Sequence, residues 1–133
     1  MKRIQILLIL IQSALLFGCQ KDATVISTRE LLVEKDWYLE KKVIQFDNNT
    51  ISHNYLGLPT YSFRLTLNDL YSDSDGLKGT FRLDDLTNEL FLEIIPENRA
   101  AERYRITHVG HDYLVVTFLF NGATQTLYFS TRL

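Results

Sequence analysis

One cysteine, three histidines and a scatter of carboxylates are the groups in this 133-residue chain that could do chemistry. His108 and His111 stand three apart, a spacing that would suggest a metal site. On a strand, however, that spacing turns the two rings to opposite faces. Gly110 between them reads as a turn, and no third ligand completes a zinc set. The run Ser72-Asp73-Ser74-Asp75-Gly76 offers two carboxylates and a glycine, as a calcium loop would. It lacks the further acid and the late glutamate of an EF-hand, and reads as a polar hairpin turn. Serine, histidine and aspartate all occur, yet no Gly-x-Ser-x-Gly elbow raises a serine into a nucleophile's position. The expectation is a protein with no enzymatic activity, no metal and no cofactor.

That leaves Cys19, which closes an apolar run. The chain opens with Met1-Lys2-Arg3 and continues to Phe17 in apolar residues interrupted only by Gln5, Gln12 and Ser13. A basic start followed by a short apolar stretch is a secretory signal, and this one falls short of the ~20 residues that span a bilayer. A plain cleaved signal would leave one thiol without a partner in an oxidising compartment. Leu16-Phe17-Gly18-Cys19 resembles the lipobox of bacterial lipoproteins, with Phe17 bulkier than is usual there. The resemblance implies that the Cys19 thiol carries diacylglycerol, that the peptide is cut before it, and that the new amine is acylated. Lipidation accounts for both the position and the solitude of the cysteine, and more than one acyl chain gives stable attachment. The expected organisation is a signal peptide over 1–18, a lipidated tether over 19–27 and a folded domain over 28–133. The expected location is the bacterial cell envelope, anchored to the outer membrane through Cys19. Gln20-Lys21-Asp22-Ala23 is similar to the Lys-Asp/Glu sorting signal of some Bacteroidota lipoproteins, but reads first as a solvated tether, so the membrane face stays open.

Beyond the signal, 115 residues suffice for one domain with a real core. The whole chain has 14 Lys and Arg against 16 Asp and Glu; without Lys2 and Arg3 the net charge becomes −4. No basic stripe points to nucleic acid.

Ser27-Thr28-Arg29-Glu30 fits a capping box, and a helix of about two turns is expected to bury Leu31 and Leu32 before Asp36 breaks it. From Trp37 onward the pattern has period two. Tyr61, Phe63, Leu65 and Leu67 alternate with polar residues, as do Phe81 and Leu83, then Leu90, Leu92 and Ile94 up to Pro96. Tyr104 and Ile106 alternate with Arg103, Arg105 and Thr107. The stretch from Tyr113 to Phe120 is apolar on both faces, and Asn121-Gly122 marks a tight hairpin. Seven strands are readable, and an eighth fits in Thr50–Gly57. The expected fold is all-β: an antiparallel up-and-down β-barrel of about eight strands after one short N-terminal helix.

On these residues the chain resembles the lipocalin-like domains of small Bacteroidota lipoproteins. The points of contact are the short helix leading to Trp37, Gly79-x-Phe81-x-Leu83, Tyr104-x-Ile106 followed by Leu114-x-Val116, and the ending Thr126–Leu133. In lipocalins an arginine of the last strand packs over a tryptophan of the first, and the resemblance implies that closing role for Arg132 over Trp37. Lys35 stands where lipocalins have a glycine. A guanidinium over an indole contributes ~0.5–2 kcal/mol depending on burial.

Phe63, Leu65, Phe81, Leu92, Tyr104, Ile106, Phe118 and Phe129 form the inward set. If they leave a lumen, it suits a small hydrophobic ligand; if they interdigitate, they are the core of a filled barrel serving as a protein-interaction or accessory module. Ser52–Thr60 is the expected mouth loop. Cys19→Ser is expected to abolish labelling of the chain by a radioactive fatty acid and to release it from the membrane fraction. Labelling that persists in the variant would remove the assignment.

Overall fold

The computed structural model describes residues 27–58 and 60–132. The expected signal peptide, Cys19 and nearly all of the expected tether lie outside the described residues.

Helix α1 occupies residues 27–32, one turn and a half, and is shorter than expected. Its end is set by Glu34, whose φ of 60° leaves the helical region, and not by Asp36. The Val33 amide makes the last helical bond, to Arg29 O at 3.1 Å, and the Glu34 amide turns to Leu65 O at 2.8 Å. Leu32 and Val33 are buried, while Leu31 is only half-buried. The chain is already extended at Lys35, two residues before the expected strand start.

Nine strands follow among the described residues: β1 (Lys35–Phe46), β2 (Asn49–Asn54), β3 (Ser62–Leu65), β4 (Leu70–Asp73), β5 (Lys78–Leu86), β6 (Glu89–Pro96), β7 (Glu102–Val109), β8 (Tyr113–Phe120) and β9 (Ala123–Ser130). All neighbours are antiparallel, and β1 also pairs with β9, so eight strands close into a barrel. The closing strand is twelve residues long. Along one edge its first part pairs with β3 and its later part with β2; along the other it pairs with β9. β2 is therefore an extra strand outside the closed ring, and all six of its residues are exposed.

Two differences from the sequence reading have local causes. The single strand expected from Tyr61 to Asn68 stops at Leu65, because Thr66–Asp69 turn back: the Thr66 amide bonds Leu70 O, and Asp69 has φ 64°. Leu67 is consequently 65% exposed. The return gives β4, a four-residue strand too short to display alternation.

The register separates the barrel's two ends. At the closed end lie α1, the 66–69 turn, the Thr87-Asn88 turn and the 110–112 turn. At the open end lie the 46–49 and 120–123 hairpins, the 74–76 turn and segments 55–61 and 97–101. Leu32, Trp37, Leu65 and Leu114 are fully buried together at the closed end. On the opposite part of the wall, a Cβ on Gly79 would collide with the Ile95 carbonyl of β6, so only glycine fits where β5 approaches that strand.

Trp37 is fully buried, and its indole N–H donates to Leu32 O at 2.9 Å. The cation over its ring is Lys35, with Nζ 5.5 Å from the centroid and donating to His111 O at 3.1 Å. Arg132 does not take the closing position expected of it. β9 ends at Ser130, whose Oγ donates to Arg132 O at 2.7 Å and turns the chain outward. The guanidinium is then 82% exposed and 3.5 Å from Asp112. Trp37→Phe keeps an aromatic ring but leaves the Leu32 carbonyl without its donor and opens a void. It is expected to cost about 2–3 kcal/mol, read as the midpoint shift in urea denaturation. A shift within error of zero would show that helix and barrel are not joined through this bond.

Candidate functional site: the barrel lumen and its vestibule

The inward residues of the upper barrel do not fill it. A cavity of about 120 Å³ is lined by Tyr61, Phe63, Tyr71, Leu92, Ile94, Tyr104, Val116, Leu127 and Phe129. Its floor is packed aromatic against aromatic: Phe63 meets Phe129 edge-on at 5.0 Å and stacks on Tyr71 at 6.2 Å. Above it a wider vestibule of about 470 Å³ is bordered by Lys42, Glu102, Tyr104, Phe118, Phe120 and Gln125, among others. Tyr104 belongs to both spaces, and its ring meets Phe118 edge-on at 5.1 Å. For scale, an engineered apolar cavity of ~150 Å³ admits benzene.

Three phenols form a collar in the wall of the cavity, and of these Tyr104 also borders the vestibule. Tyr71 Oη donates to Asp73 Oδ2 at 2.8 Å, and the Tyr61 and Tyr71 hydroxyls are 2.8 Å apart. Tyr61 Oη also reaches Asp73 Oδ2 at 3.3 Å. Across the barrel, Tyr104 Oη donates to Glu102 Oε2 at 2.5 Å. The other Asp73 oxygen accepts the amides of Asp75 at 3.1 Å and Leu77 at 2.9 Å. This closes the 74–76 turn, so the Ser72–Gly76 run is a turn whose first aspartate also braces the lumen. Burial pushes the ionisation of all three phenols well above the ordinary tyrosine range, and the neighbouring carboxylates push it further.

β-bulges decide which side chains face inward. The register of β1 against β9 shifts between Leu39 and Lys41, leaving Glu40 as the extra residue. Past the bulge, Lys42 is opposite Leu127 and Ile44 is opposite Gln125, so these residues take the inward face. Without it, Lys42 would point outward. Gln125 is 7% exposed. A second shift, between Ile106 and His108 on β7, brings both Ile106 and Val109 onto the core.

Of the sequence-derived lumen residues, Phe63, Leu92, Tyr104 and Phe129 line the cavity and Phe118 lines the vestibule. Leu65, Phe81 and Ile106 pack in the core below, Phe81 with the Arg29 guanidinium 5.1 Å from its ring centroid. The sequence reading missed Tyr71, Lys42, Glu102 and Gln125. It had Tyr61, Ile94, Val116 and Leu127 in or beside its alternating strands without placing them at a site. His108 is exposed on β7 and His111 exposed in the turn after it. Among the described residues no group of three His, Cys, Asp or Glu side chains could hold a metal. In the expected mouth loop, Leu56 and Leu58 are 65% and 56% exposed and do not pack over the opening.

Comparison of the chain with protein-family models, curated proteins and solved structures finds no match.

The phenols give the site a pH signature. In the unfolded chain a tyrosine ionises near its ordinary value of about 10, whereas Tyr61, Tyr71 and Tyr104 hold their protons in the fold. The unfolded state therefore releases protons first, and stability is full below that pH and falls as pH rises above it. Ultraviolet titration is expected to show three phenols ionising only together with the loss of β-sheet circular dichroism. Their ionisation with the sheet intact would contradict the buried hydrogen-bonded collar.

Proposed function

We propose that this protein is a non-catalytic, lipocalin-like lipoprotein of the bacterial envelope that binds a small, largely apolar ligand in its barrel. The observation that carries the reading is the pair of connected spaces: an apolar cavity of about 120 Å³ beneath a vestibule of about 470 Å³, with Tyr104 shared between them. A filled core would offer neither. The inner volume limits the deeply held part of a guest to roughly one ring or a short branched chain. Membrane attachment rests on Cys19 and its preceding sequence. With lipid on Cys19, the tether would enter the domain at the closed end, where α1 lies, and the mouth would open on the far side of the barrel.

A second reading is favoured by a separate observation. Phe46, Leu56, Leu58, Leu119 and Phe120 are between 44% and 74% exposed at the open end, an apolar rim of the sort that marks interaction surfaces. On this reading the rim docks a protein and the cavity is a packing remnant.

Native mass spectrometry of the protein isolated from its own envelope separates the two. A small guest near unit occupancy is expected in the parent chain and is expected to be lost in Val116→Phe, which fills the cavity. Thermal unfolding of that variant, with an expected cost of about 1–3 kcal/mol from overpacking, verifies that it folds. A guest-free parent would favour the rim.

A further inference from the structure

The collar hydroxyls have no hydrogen left to give. Each phenol has one. That of Tyr71 goes to Asp73 and that of Tyr104 to Glu102, while that of Tyr61 goes to Tyr71 or Asp73. What the collar turns toward a guest is therefore lone pairs, a constellation of acceptors above an apolar floor. The charge behind it has the same sign. Asp73 makes no ion pair among the described residues, and Glu102 has only Arg99, 3.4 Å away in an exposed pair.

From this polarity we infer that the lumen takes a small alkyl or arylalkyl ammonium ion. Its apolar end lies on Phe63, Leu92, Val116 and Phe129, and its N–H groups donate to the phenol oxygens of Tyr61, Tyr71 and Tyr104. The inference rests on the barrel being a binding lumen and adds the chemistry of the guest. A carboxylate at the same level would set acceptor against acceptor and negative charge beside Asp73 and Glu102. An ammonium meets the reverse, with aromatic faces that also favour a cation. The raised pKa of the buried phenols keeps them protonated, as donors to the carboxylates, throughout the neutral range. The competing arrangement is higher up: Lys42 has no ion-pair partner, and the nearly buried Gln125 amide no hydrogen-bond partner, among the described residues. Those two groups, with the Arg103 guanidinium that also borders the vestibule and is paired to Asp84 at 2.6 Å, are the ones that would hold an anion.

The test is calorimetric titration of the full chain in detergent with three probes of one size: benzylammonium, toluene and benzoate. Benzylammonium is expected to bind at least tenfold more tightly than toluene, with benzoate showing no heat. Tyr71→Phe and, separately, Tyr61→Phe are expected to weaken benzylammonium about tenfold while leaving toluene within threefold, which also shows that each variant folds with its cavity intact. Benzoate binding as tightly as benzylammonium, and lost in Lys42→Met, would overturn the inference while leaving the lumen a binding site. Toluene and benzylammonium binding equally would overturn it too. Binding of none of the three, with a guest-free native mass, would remove the lumen reading itself.

Discussion

The bond from the Trp37 indole to the Leu32 carbonyl fixes how the helix meets the barrel. A helix leaves its last carbonyls without internal partners, and burying one unpaired costs about 1–3 kcal/mol. Trp37 supplies the donor from five residues downstream, across the Glu34 reversal. That requirement sets the helix length and directs Leu32 into the floor beside Leu65 and Leu114. It also starts β1 early enough for Lys35 and Asp36 to pair with β3. The closed end is thus one local solution to a capping problem, with Lys35 over the indole in place of a distant arginine.

From that start β1 serves as the seam of the molecule. Among the described residues it is the only strand with three partners, and the bulge at Glu40 lets it bend from one to the next. The same bulge exchanges its two faces, which is why Lys42 borders the vestibule. Curvature and site chemistry here have one cause. The same sequence run as a regular strand, with Glu40 paired in place of the bulge, would put Lys41 and Val43 inward and give the mouth another character.

The fold was legible where chemistry repeats with a regular period, and illegible where one residue breaks it. Alternation around Phe63, Phe81, Leu92 and Tyr104 was enough for an antiparallel barrel, and Asn121-Gly122 adopts the two positive φ values its turn demanded. Thr87-Asn88 makes the same kind of turn without glycine, and Asn88, a residue type that tolerates positive φ, is its one signal. β4 was hidden because its four residues sit between polar turns, and Tyr71 was hidden with it. Lys42 and Gln125 were missed for a different reason: a bulge is decided by how two strands meet, which a single strand's sequence does not contain. The apolar half of the lumen was therefore readable, and the polar half that would select a guest was not.

Closure between β1 and β9 has a consequence for how the molecule comes into being. Its wall has no nucleus of neighbouring segments that is complete by itself, because the first strand's free edge is covered only when the last arrives. Contacts between such distant parts of a chain form slowly. A nascent molecule emerging amino end first must leave Trp37 and its neighbours uncovered until β9 is available. If the chain crosses a membrane in extended form, as the proposed envelope location requires, that delay works in favour of passage: the chain stays threadable for as long as its far end is held back.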